Sequence, residues 1–550
     1  MKLESVIGAR QILYYCMMRI GAFTGPTFRP HVEHVAWLAK LAQNAGHTVI
    51  GLSCDGAVTD CYARALLGRG RIGCVGCSLA GLRAFSNIKT QSARGVQPSA
   101  SLEGWHDSEI LSSVRTLLRE EEDARLIDPP AQTLINRLAP TAAKMFGIIS
   151  GWIEREELDA LLVFNGRMDI TRAAIRAART QRIRFASVER ASFDTGIRIT
   201  PMTDCNSPTN EERLQLHYRD APLLRDQVLR SAEFIARRAI NLPISEWRTY
   251  NKDRISAAWP ETSKGTRVLV GPSSQYEVAG GEGWENLGDM RDSVEAVVAR
   301  LGPNVSVVVR GHPVWSETIA SMNGESTTRY YRDWCRKHKY HFIEPESKID
   351  TRSLIKQANL VLATGGTIGV EAACAGCAVL ALAPCYYRHG GGVGNAVGND
   401  AIETALAIRN VPVEERVRRT LRSIYTHAFR ATQFCDFARP VQGTGGATWE
   451  YRDGADFRQV EQALQTGWTQ ADDNRTTEDD TDETEVVRWL MEERMEKIIE
   501  ESERLRSASR ALEWKQLPLR PVAKLLLTVR GRLPKGDRIN AKNCRTIHNS

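Results

Sequence analysis

Two stretches of the chain alternate short apolar runs with helical patterns, and this alternation limits the fold more than any other feature. The predicted strands cover residues 46–52, 158–165, 184–189, 267–272, 305–310, 360–364 and 378–382. The predicted helices cover residues 31–43, 171–179, 289–301, 329–339, 351–357 and 368–375. Strands that alternate with helices form a parallel sheet covered on both faces. The sequence therefore predicts an α/β protein with two doubly wound domains.

The composition changes twice along the chain and suggests the domain boundaries. A polar connection over residues 241–264 separates the two alternating stretches. We therefore predict a first domain over residues 1–245 and a second over residues 246–455. Residues 456–550 follow as an acidic linker, a charged helix and a basic tail, and the acidic, threonine-rich linker is a poor candidate for a packed core.

The overall charge favours an anionic ligand over nucleic acid. The chain has 550 residues, a formal net charge of +7 and a sequence pI of about 8.8. This excess is too small for a dedicated nucleic-acid binder but suits an anionic ligand or an anionic membrane surface. No segment approaches the ~18 uncharged apolar residues of a transmembrane helix. We also find no secretory signal pattern, so we expect a cytoplasmic protein.

Three short motifs in the second stretch lie at the ends of predicted strands or just after them. They are RGHP at residues 310–313, FIEP at residues 342–345, and TGGT at residues 364–367. Ligands of parallel sheets bind outside the carboxyl ends of the strands. The motifs therefore predict a binding site at that edge of the second domain.

The third motif has the most direct chemistry. Two glycines let the backbone approach a ligand closely, and Thr367 can cap the helix that follows. The N-terminus of that helix suits a phosphate or carboxylate, and Glu371, one turn further on, can accept hydrogen bonds from ribose hydroxyls. A plain capped helix after a glycine turn explains the same residues equally well. His312 by itself is also compatible with a packed turn residue.

In this order, the three motifs and the residues after them resemble the capsule-polysaccharide-type glycosyltransferases, which include the bacterial Kdo transferases of capsule synthesis. The resemblance rests on RGHP, on FIEP followed by Asp350 and Ser353, and on TGGTIGVEAACAG with a strand behind it. It covers about residues 267–407 and extends weakly to residues 164–167 and Glu189. It implies the GT-B fold, in which two Rossmann-like domains face a cleft, and sugar transfer without a catalytic metal.

The resemblance also implies roles for single residues. It places His312 and Pro313 at the nucleotide or its phosphate, and Glu371 near the ribose. The predicted donor-binding residues are Arg310, His312, Pro313, Thr364, Gly365, Gly366, Thr367, Glu371 and Arg388. Relatives often carry Ser-Ser or Ser-Thr where this chain has Gly366-Thr367, which leaves the donor open. A CMP-linked acid sugar such as CMP-Kdo is one candidate, and a UDP- or GDP-sugar is another.

Glycosyl transfer needs stabilisation of the leaving group and, often, a base for the acceptor hydroxyl. Arg310, His312 and Arg388 are the cations near the motifs. We predict Glu189 and His312 as catalytic residues, with Glu189 as the base because it ends a strand of the first domain. Asp169 and Glu154 are alternative bases. The glycine run at residues 390–394 suits a loop that closes over the donor, or an ordinary surface loop.

Four cysteines in the first domain form a second candidate site. Cys54, Cys61, Cys74 and Cys77 follow the pattern C-x6-C-x12-C-x2-C. Four thiolates suit a structural zinc ion or an iron–sulfur cluster. Four reduced, buried thiols are the alternative. We read Cys374, Cys377 and Cys385 as small core residues.

The sequence leaves the acceptor and two other functions open. The acceptor expected from the resemblance is a growing surface polysaccharide or a lipid-linked glycan. Basic residues around the apolar run 522–529 predict peripheral attachment to the inner face of the plasma membrane, although packing of this run on a domain is equally compatible. A two-lobed sugar-nucleotide epimerase shares the predicted fold, and a non-catalytic membrane-recruited scaffold would share the tail.

Overall fold

The computed structural model describes residues 17–99, 101–193, 195–242, 253–260, 265–284, 288–319, 322–442, 444, 447–469, 475–507 and 515–516. The strands are β1 Arg19–Phe23, β2 Thr48–Ser53, β3 Thr90–Ser92, β4 Ala160–Phe164, β5 Arg184–Arg190, β6 Ile197–Pro201, β7 Thr266–Gly271, β8 Val305–Arg310, β9 His341–Ile343, β10 Leu360–Ala363, β11 Ala378–Ala381, β12 Gly394–Asn395, β13 Thr432–Gln433, β14 Ala438–Pro440, β15 Trp449–Tyr451 and β16 Lys515–Gln516.

The helices cover both faces of the sheets. They are α1 His31–Asn44, α2 Tyr62–Leu67, α3 Ile72–Ala84, α4 Leu111–Leu118, α5 Pro129–Glu156, α6 Asp169–Thr180, α7 Thr209–Tyr218, α8 Arg225–Ala239, α9 Met290–Leu301, α10 Glu325–His338, α11 Thr351–Ile355, α12 Ile368–Cys374, α13 Ile402–Leu406, α14 Val413–Tyr425, α15 Arg458–Thr466, α16 Thr481–Met491 and α17 Met495–Ser507. None of the described helices is both long and apolar enough to span a membrane.

The first sheet has seven strands in the order β13-β6-β5-β4-β1-β2-β3. The neighbours from β5 through β4, β1 and β2 to β3 are parallel, whereas β6 and β13 are added antiparallel at one edge. Every residue of the central strand β4 is buried, as expected for a strand with helices on both faces. We call this sheet and the helices packed on it the first lobe.

The second sheet has six strands in the order β12-β11-β10-β7-β8-β9, and all its pairs are parallel. Strands β10 and β11 are buried at every residue and contain only leucine, valine and alanine. We call this sheet and its helices the second lobe. The five parallel strands of the first sheet and the fully parallel second sheet confirm the predicted α/β fold class, the two-lobed arrangement named GT-B.

The carboxyl edges of the two sheets face each other. Residues that follow β7 contact residues that follow β4 and β6: the Asn206 amide donates to the Glu277 carbonyl at 2.9 Å. Deeper in the interface, Arg172 pairs with Asp204 at 2.9 Å and with Glu282 of the second lobe at 3.0 Å. The edges where parallel sheets bind ligands therefore border one cleft.

The chain crosses between lobes more often than the predicted boundaries at 245 and 455 imply. Helix α8 lies before residue 245, yet Val228 and Leu229 belong to the same core as Leu269 and Val361 of the second sheet. Conversely, β13 pairs with β6, and Val460 and Leu464 of α15 pack in the core of the first lobe. Burial of apolar faces, rather than chain order, assigns these elements to their lobes.

The region predicted as a tail beyond residue 456 also differs from expectation. The charged helix predicted in this region is two helices in the structure. Helix α16 ends at Met491, and helix α17 begins at Met495. Val486, Trp489 and Ile498 are buried in the core of the second lobe beside α8. Residues 517–550, which include the predicted membrane-binding run, lie outside the described residues.

Candidate functional site

The TGGT motif forms a tight turn at the carboxyl end of β10. Gly365 and Gly366 have φ values of 127° and 68°, which residues with a Cβ rarely adopt. A Cβ at Gly366 would lie 3.2 Å from Ser273 Oγ. The buried Thr364 hydroxyl accepts a hydrogen bond from the Ser273 N–H at 2.7 Å. The turn is thus held against the loop that follows β7. Thr367 stands at the start of α12, but its hydroxyl makes no capping hydrogen bond, in contrast to the prediction.

His312 follows β8 and lies among arginines. Its Nδ1 accepts a hydrogen bond from the Val314 N–H at 3.2 Å, which leaves Nε2 as the N–H donor. Burial, together with the positive charges of Arg310, Arg254 and Arg238, lowers the pKa of His312 to about 4. The ring is therefore neutral at pH 7. Three positive charges that act on a neutral imidazole favour the binding of an anion in this region.

The three arginines come from separate parts of the chain. Arg310 ends β8 and donates to the carbonyls of Gly311, Glu344 and Ser347 at 2.6–3.0 Å, so it fixes the turns that follow β8 and β9. Arg254 donates to the Ile349 carbonyl at 3.4 Å. Arg238 belongs to α8 and lies 2.9 Å from Glu371, the residue predicted to meet a ribose.

Two of these arginines were not predicted from the sequence. Arg238 lies on a helix assigned to the first domain, and Arg254 lies in the segment interpreted as a connection. The RGHP and TGGT motifs gave no signal for either residue, because neither is near them in the sequence. Burial lowers the pKa of His312 most, and the positive charges of Arg310, Arg254 and Arg238 lower it further.

The carboxyl edge of the first sheet carries a histidine–carboxylate pair. His31 is the first residue of α1, directly after the loop that follows β1, and its Nδ1 lies 2.8 Å from Glu189 Oε1. The Asn165 amide donates to Glu189 Oε2 at 3.0 Å. Burial by itself would raise the pKa of Glu189, but the His31 ring and the Asn165 and Arg190 hydrogen bonds lower it to about 2. Glu189 is thus a weak base that orients His31.

His31 was also missed by the sequence reasoning, which predicted its helix but not the preceding strand β1. A histidine at the start of a helix that follows a strand would have been the signal. The ring is held further by Phe164 at the end of β4, with the ring centroids 4.4 Å apart. Glu189 is the base favoured by the sequence analysis, and its catalytic role stays a prediction.

Aromatic contacts connect the two edges. Phe193 follows β5, four residues after Glu189, and its ring packs at 4.2 Å from that of Phe234 on α8. The guanidinium of Arg238 also lies over the Phe234 ring, 4.9 Å from its centroid. The histidine–carboxylate pair and the arginine cluster therefore border the same part of the cleft.

Other predicted residues make contacts elsewhere. Arg388 Nη2 lies 2.5 Å from Glu212 on α7. Asp169 is buried beneath α2, where its carboxylate accepts the Tyr62 N–H, and burial raises its pKa to about 7. Glu154 accepts from Gln181 near the amino end of β4, at the edge of the sheet away from the cleft. None of these contacts joins the His31–Glu189 pair.

The glycine run after residue 389 is packed rather than open. A Cβ at Gly390 would lie 1.8 Å from Ser423 Oγ, and one at Gly392 would lie 2.2 Å from Thr420 Oγ1. Both serine and threonine belong to α14. These glycines allow the loop to approach a helix closely, so the structure contradicts the interpretation as a loop that closes over a donor.

The four cysteines of the first lobe lie around the loops that follow β1 and β2. Burial raises the pKa of Cys54 to about 11 and that of Cys61 further, with neighbouring thiols adding to both. Cys77 Sγ accepts the Thr27 N–H at 3.4 Å. Among the described residues, no group of three or more His, Cys, Asp or Glu side chains could hold a metal ion. The zinc or iron–sulfur site stays a prediction that metal analysis of the purified protein tests. Cys374 and Cys385 are buried in the core, as expected.

Comparisons with known proteins return structures but no sequence family. No protein-family model matches the chain, and no curated protein matches it. The chain is similar to a solved structure titled KpsC, β-Kdo 2,4-transferase, from Thermosulfurimonas dismutans, at 15% identity and a TM-score of 0.31, over 61% of this chain and 87% of that one. It is also similar to UDP-GlcNAc 2-epimerase from Neisseria meningitidis bound to UDP-GlcNAc, at 14% identity and a TM-score of 0.23, over 75% and 97% of the two chains.

A further similarity is to a putative UDP-N-acetylglucosamine 2-epimerase from Listeria monocytogenes, at 15% identity and a TM-score of 0.23, over 74% of this chain and 91% of that one. Transferases and epimerases are thus both among the similar structures. A shared fold hosts unrelated reactions, so the function has to be argued from the site.

Proposed function

We propose that the chain is a glycosyltransferase that moves a sugar from a nucleotide-activated donor to a hydroxyl of a glycan acceptor. The observation that carries the proposal is the pairing of opposite chemistries across the cleft. The first lobe offers a histidine 2.8 Å from a carboxylate, and the second offers a neutral histidine whose pKa is lowered by burial and by the charges of three arginines. Sugar transfer needs both a proton acceptor and stabilisation of an anionic leaving group.

In the first lobe, His31 is the proposed general base. Because Nδ1 lies 2.8 Å from Glu189 Oε1, Nε2 is the ring nitrogen left to accept the proton of the acceptor hydroxyl. Glu189 keeps the ring in this orientation and stabilises the imidazolium that forms. The low pKa of Glu189 keeps it ionised throughout the reaction.

In the second lobe, Arg238, Arg254 and His312 are the proposed contacts for the phosphate of the leaving nucleotide. His312 supplies an Nε2–H and the arginines supply positive charge. Arg310 shapes the site by holding the turns after β8 and β9. The Gly365-Gly366 turn lets the donor approach the backbone, and Glu371, next to Arg238, is the proposed ribose contact.

The donor and acceptor follow from the resemblance of the motifs. The His-Pro pair is shared with enzymes that use CMP-activated sugars, so a CMP-linked acid sugar is the first donor to test. An acid sugar adds a carboxylate, which the same arginines suit. The proposed acceptor is a growing surface polysaccharide or a lipid-linked glycan. In the proposed reaction, the arginines rather than a metal ion balance the charge of the leaving group.

A thermal-shift and calorimetry screen against CMP, UDP, GDP and dTDP and their sugars tests the proposal. A ligand at 100 times its Kd stabilises the folded state by about 2.7 kcal/mol. We expect the nucleotide and the sugar nucleotides of one base to bind. We expect free nucleotide to be released from the sugar nucleotide only when an acceptor is present. Conversion of the donor without an acceptor would favour the epimerase, and the absence of binding by any nucleotide would favour the scaffold.

A further inference from the structure

Helix α3 presents its large apolar side chains to solvent. Ile72, Val75 and Leu82 have exposed fractions of 57%, 58% and 52%, and Leu79 is half-buried. These four residues are spaced three or four apart, so they share one side of the helix. We call this side the α3 outer face. Helices on the surface of a soluble protein normally bury such a face and expose a polar one.

The opposite side of α3 is made of small residues. Cys74, Cys77 and Gly81 point toward the first lobe, and a Cβ at Gly81 would lie 3.2 Å from Thr24 Oγ1 in the loop after β1. Cys77 accepts from Thr27 in the same loop. The helix therefore packs closely on the carboxyl edge of the first sheet through its small side, and this packing fixes the outer face toward solvent.

The segment of sequence that contains α3 carries only basic residues among its charged ones. Residues 61–102 contain six Lys or Arg residues and no Asp or Glu. They are Arg64, Arg69, Arg71, Arg83, Lys89 and Arg94. Arg69 and Arg71, which immediately precede α3, are exposed. An apolar helix face bordered by cations complements an anionic lipid surface, which offers acyl chains and negative headgroups together.

We propose that the α3 outer face docks on an anionic membrane. The apolar side chains would enter the boundary between headgroups and acyl chains, while the arginines would bind lipid phosphates. Because α3 packs on the loop that precedes His31, docking would bring the acceptor side of the cleft to the bilayer. The inference goes beyond sugar transfer and does not depend on it, since binding to vesicles needs no donor.

The test is co-sedimentation of the full chain with vesicles of phosphatidylglycerol and phosphatidylcholine. We expect sedimentation that weakens with salt and is lost with phosphatidylcholine alone. The double variant Val75→Asp, Leu82→Asp should bind about tenfold more weakly. Ile127→Asp is the matched control, because Ile127 is 78% exposed on another surface. Arg69→Ala and Arg71→Ala should each cost about fivefold in affinity.

Residues 517–550 form the competing explanation, and a chain that ends at Gln516 separates the two. It retains every described element, whereas a chain ending near Gln470 would lose α16 and α17 and with them part of the second core. Vesicle binding by the shorter chain supports the α3 outer face. The proposal would be overturned if the shorter chain lost all vesicle binding, or if the double variant bound vesicles as well as Ile127→Asp. It would also be overturned if the double variant changed dimerisation instead of vesicle binding.

Discussion

The two edges of the cleft each carry a histidine, and their surroundings are opposite. His31 in the first lobe lies 2.8 Å from a carboxylate, and His312 in the second lobe lies among three arginines. Burial and the charges of the arginines keep His312 neutral, whereas a carboxylate beside His31 stabilises the positive charge that proton transfer would place on the ring. The same residue type is therefore suited to proton transfer on one edge and to anion binding on the other. The environment, not the residue type, separates the two roles.

The largest expected effect is at the first edge. His31→Ala removes the proposed base and should reduce turnover about 10²- to 10⁴-fold. Nucleotide binding should stay near the wild-type value, because the donor contacts lie on the second lobe. Steady-state kinetics and calorimetry on the same preparation measure both quantities.

Glu189→Gln is the conservative companion of this variant. It keeps a polar partner for His31 but removes the charge that stabilises the imidazolium, so kcat should fall while the fold stays intact. Turnover close to wild type in His31→Ala would show that His31 is not the general base.

The second edge should respond in binding as well as in rate. His312→Ala and Glu371→Ala should each reduce transfer severely, since loss of one preorganised contact commonly costs ~2.7–4 kcal/mol. Because the pKa of His312 is about 4, its titration should leave no limb in the pH profile above pH 6. Normal nucleotide affinity and turnover in both variants would contradict the donor assignment.

A buried carboxyl at the lobe interface offers a test of stability. Glu121 accepts the Tyr276 N–H at 3.3 Å, and burial raises its pKa to about 8. A raised carboxyl pKa means that stability present at low pH is lost as the pH rises from the unfolded value near 4.5 through 8. Glu121→Gln should therefore match wild type near pH 4.5 and exceed it by on the order of 5 kcal/mol at pH 9.

Calorimetric melting at the two pH values measures this difference. Glu122→Gln, on the more exposed neighbouring residue, controls for the substitution itself. A stability difference between Glu121→Gln and wild type that is the same at both pH values would show that the carboxyl does not titrate between them.

The smallest expected effect is at Arg388. Its guanidinium already pairs with Glu212 on α7, 2.5 Å away. We expect Arg388→Ala to change nucleotide affinity by less than the roughly tenfold step that corresponds to 1.4 kcal/mol. A loss of affinity as large as that of His312→Ala would place Arg388 in the donor site after all.

Local sequence was sufficient where a feature depends on neighbours along the chain. The parallel strands β10 and β11 of the second lobe are short runs of valine, leucine and alanine, and such runs, bounded by turn residues, are typical of a buried strand. The turn at the TGGT motif could also be predicted from the sequence, because glycine is the residue that accepts positive φ. The strand β1, which contains Arg19 and Gly21, lacks that apolar signal and was missed.

The sequence by itself determined the fold class and the second-lobe motifs at the ends of strands or just after them. Only the tertiary structure brought His31 to Glu189, placed Arg238 and Arg254 beside His312, and buried α16 and α17 against α8. These contacts join residues far apart in the chain, so no local pattern specifies them. They form because sheet packing fixes which strand ends meet, and because apolar helix faces are buried wherever a complementary core is available. Tertiary packing therefore decides which side chains meet in the cleft.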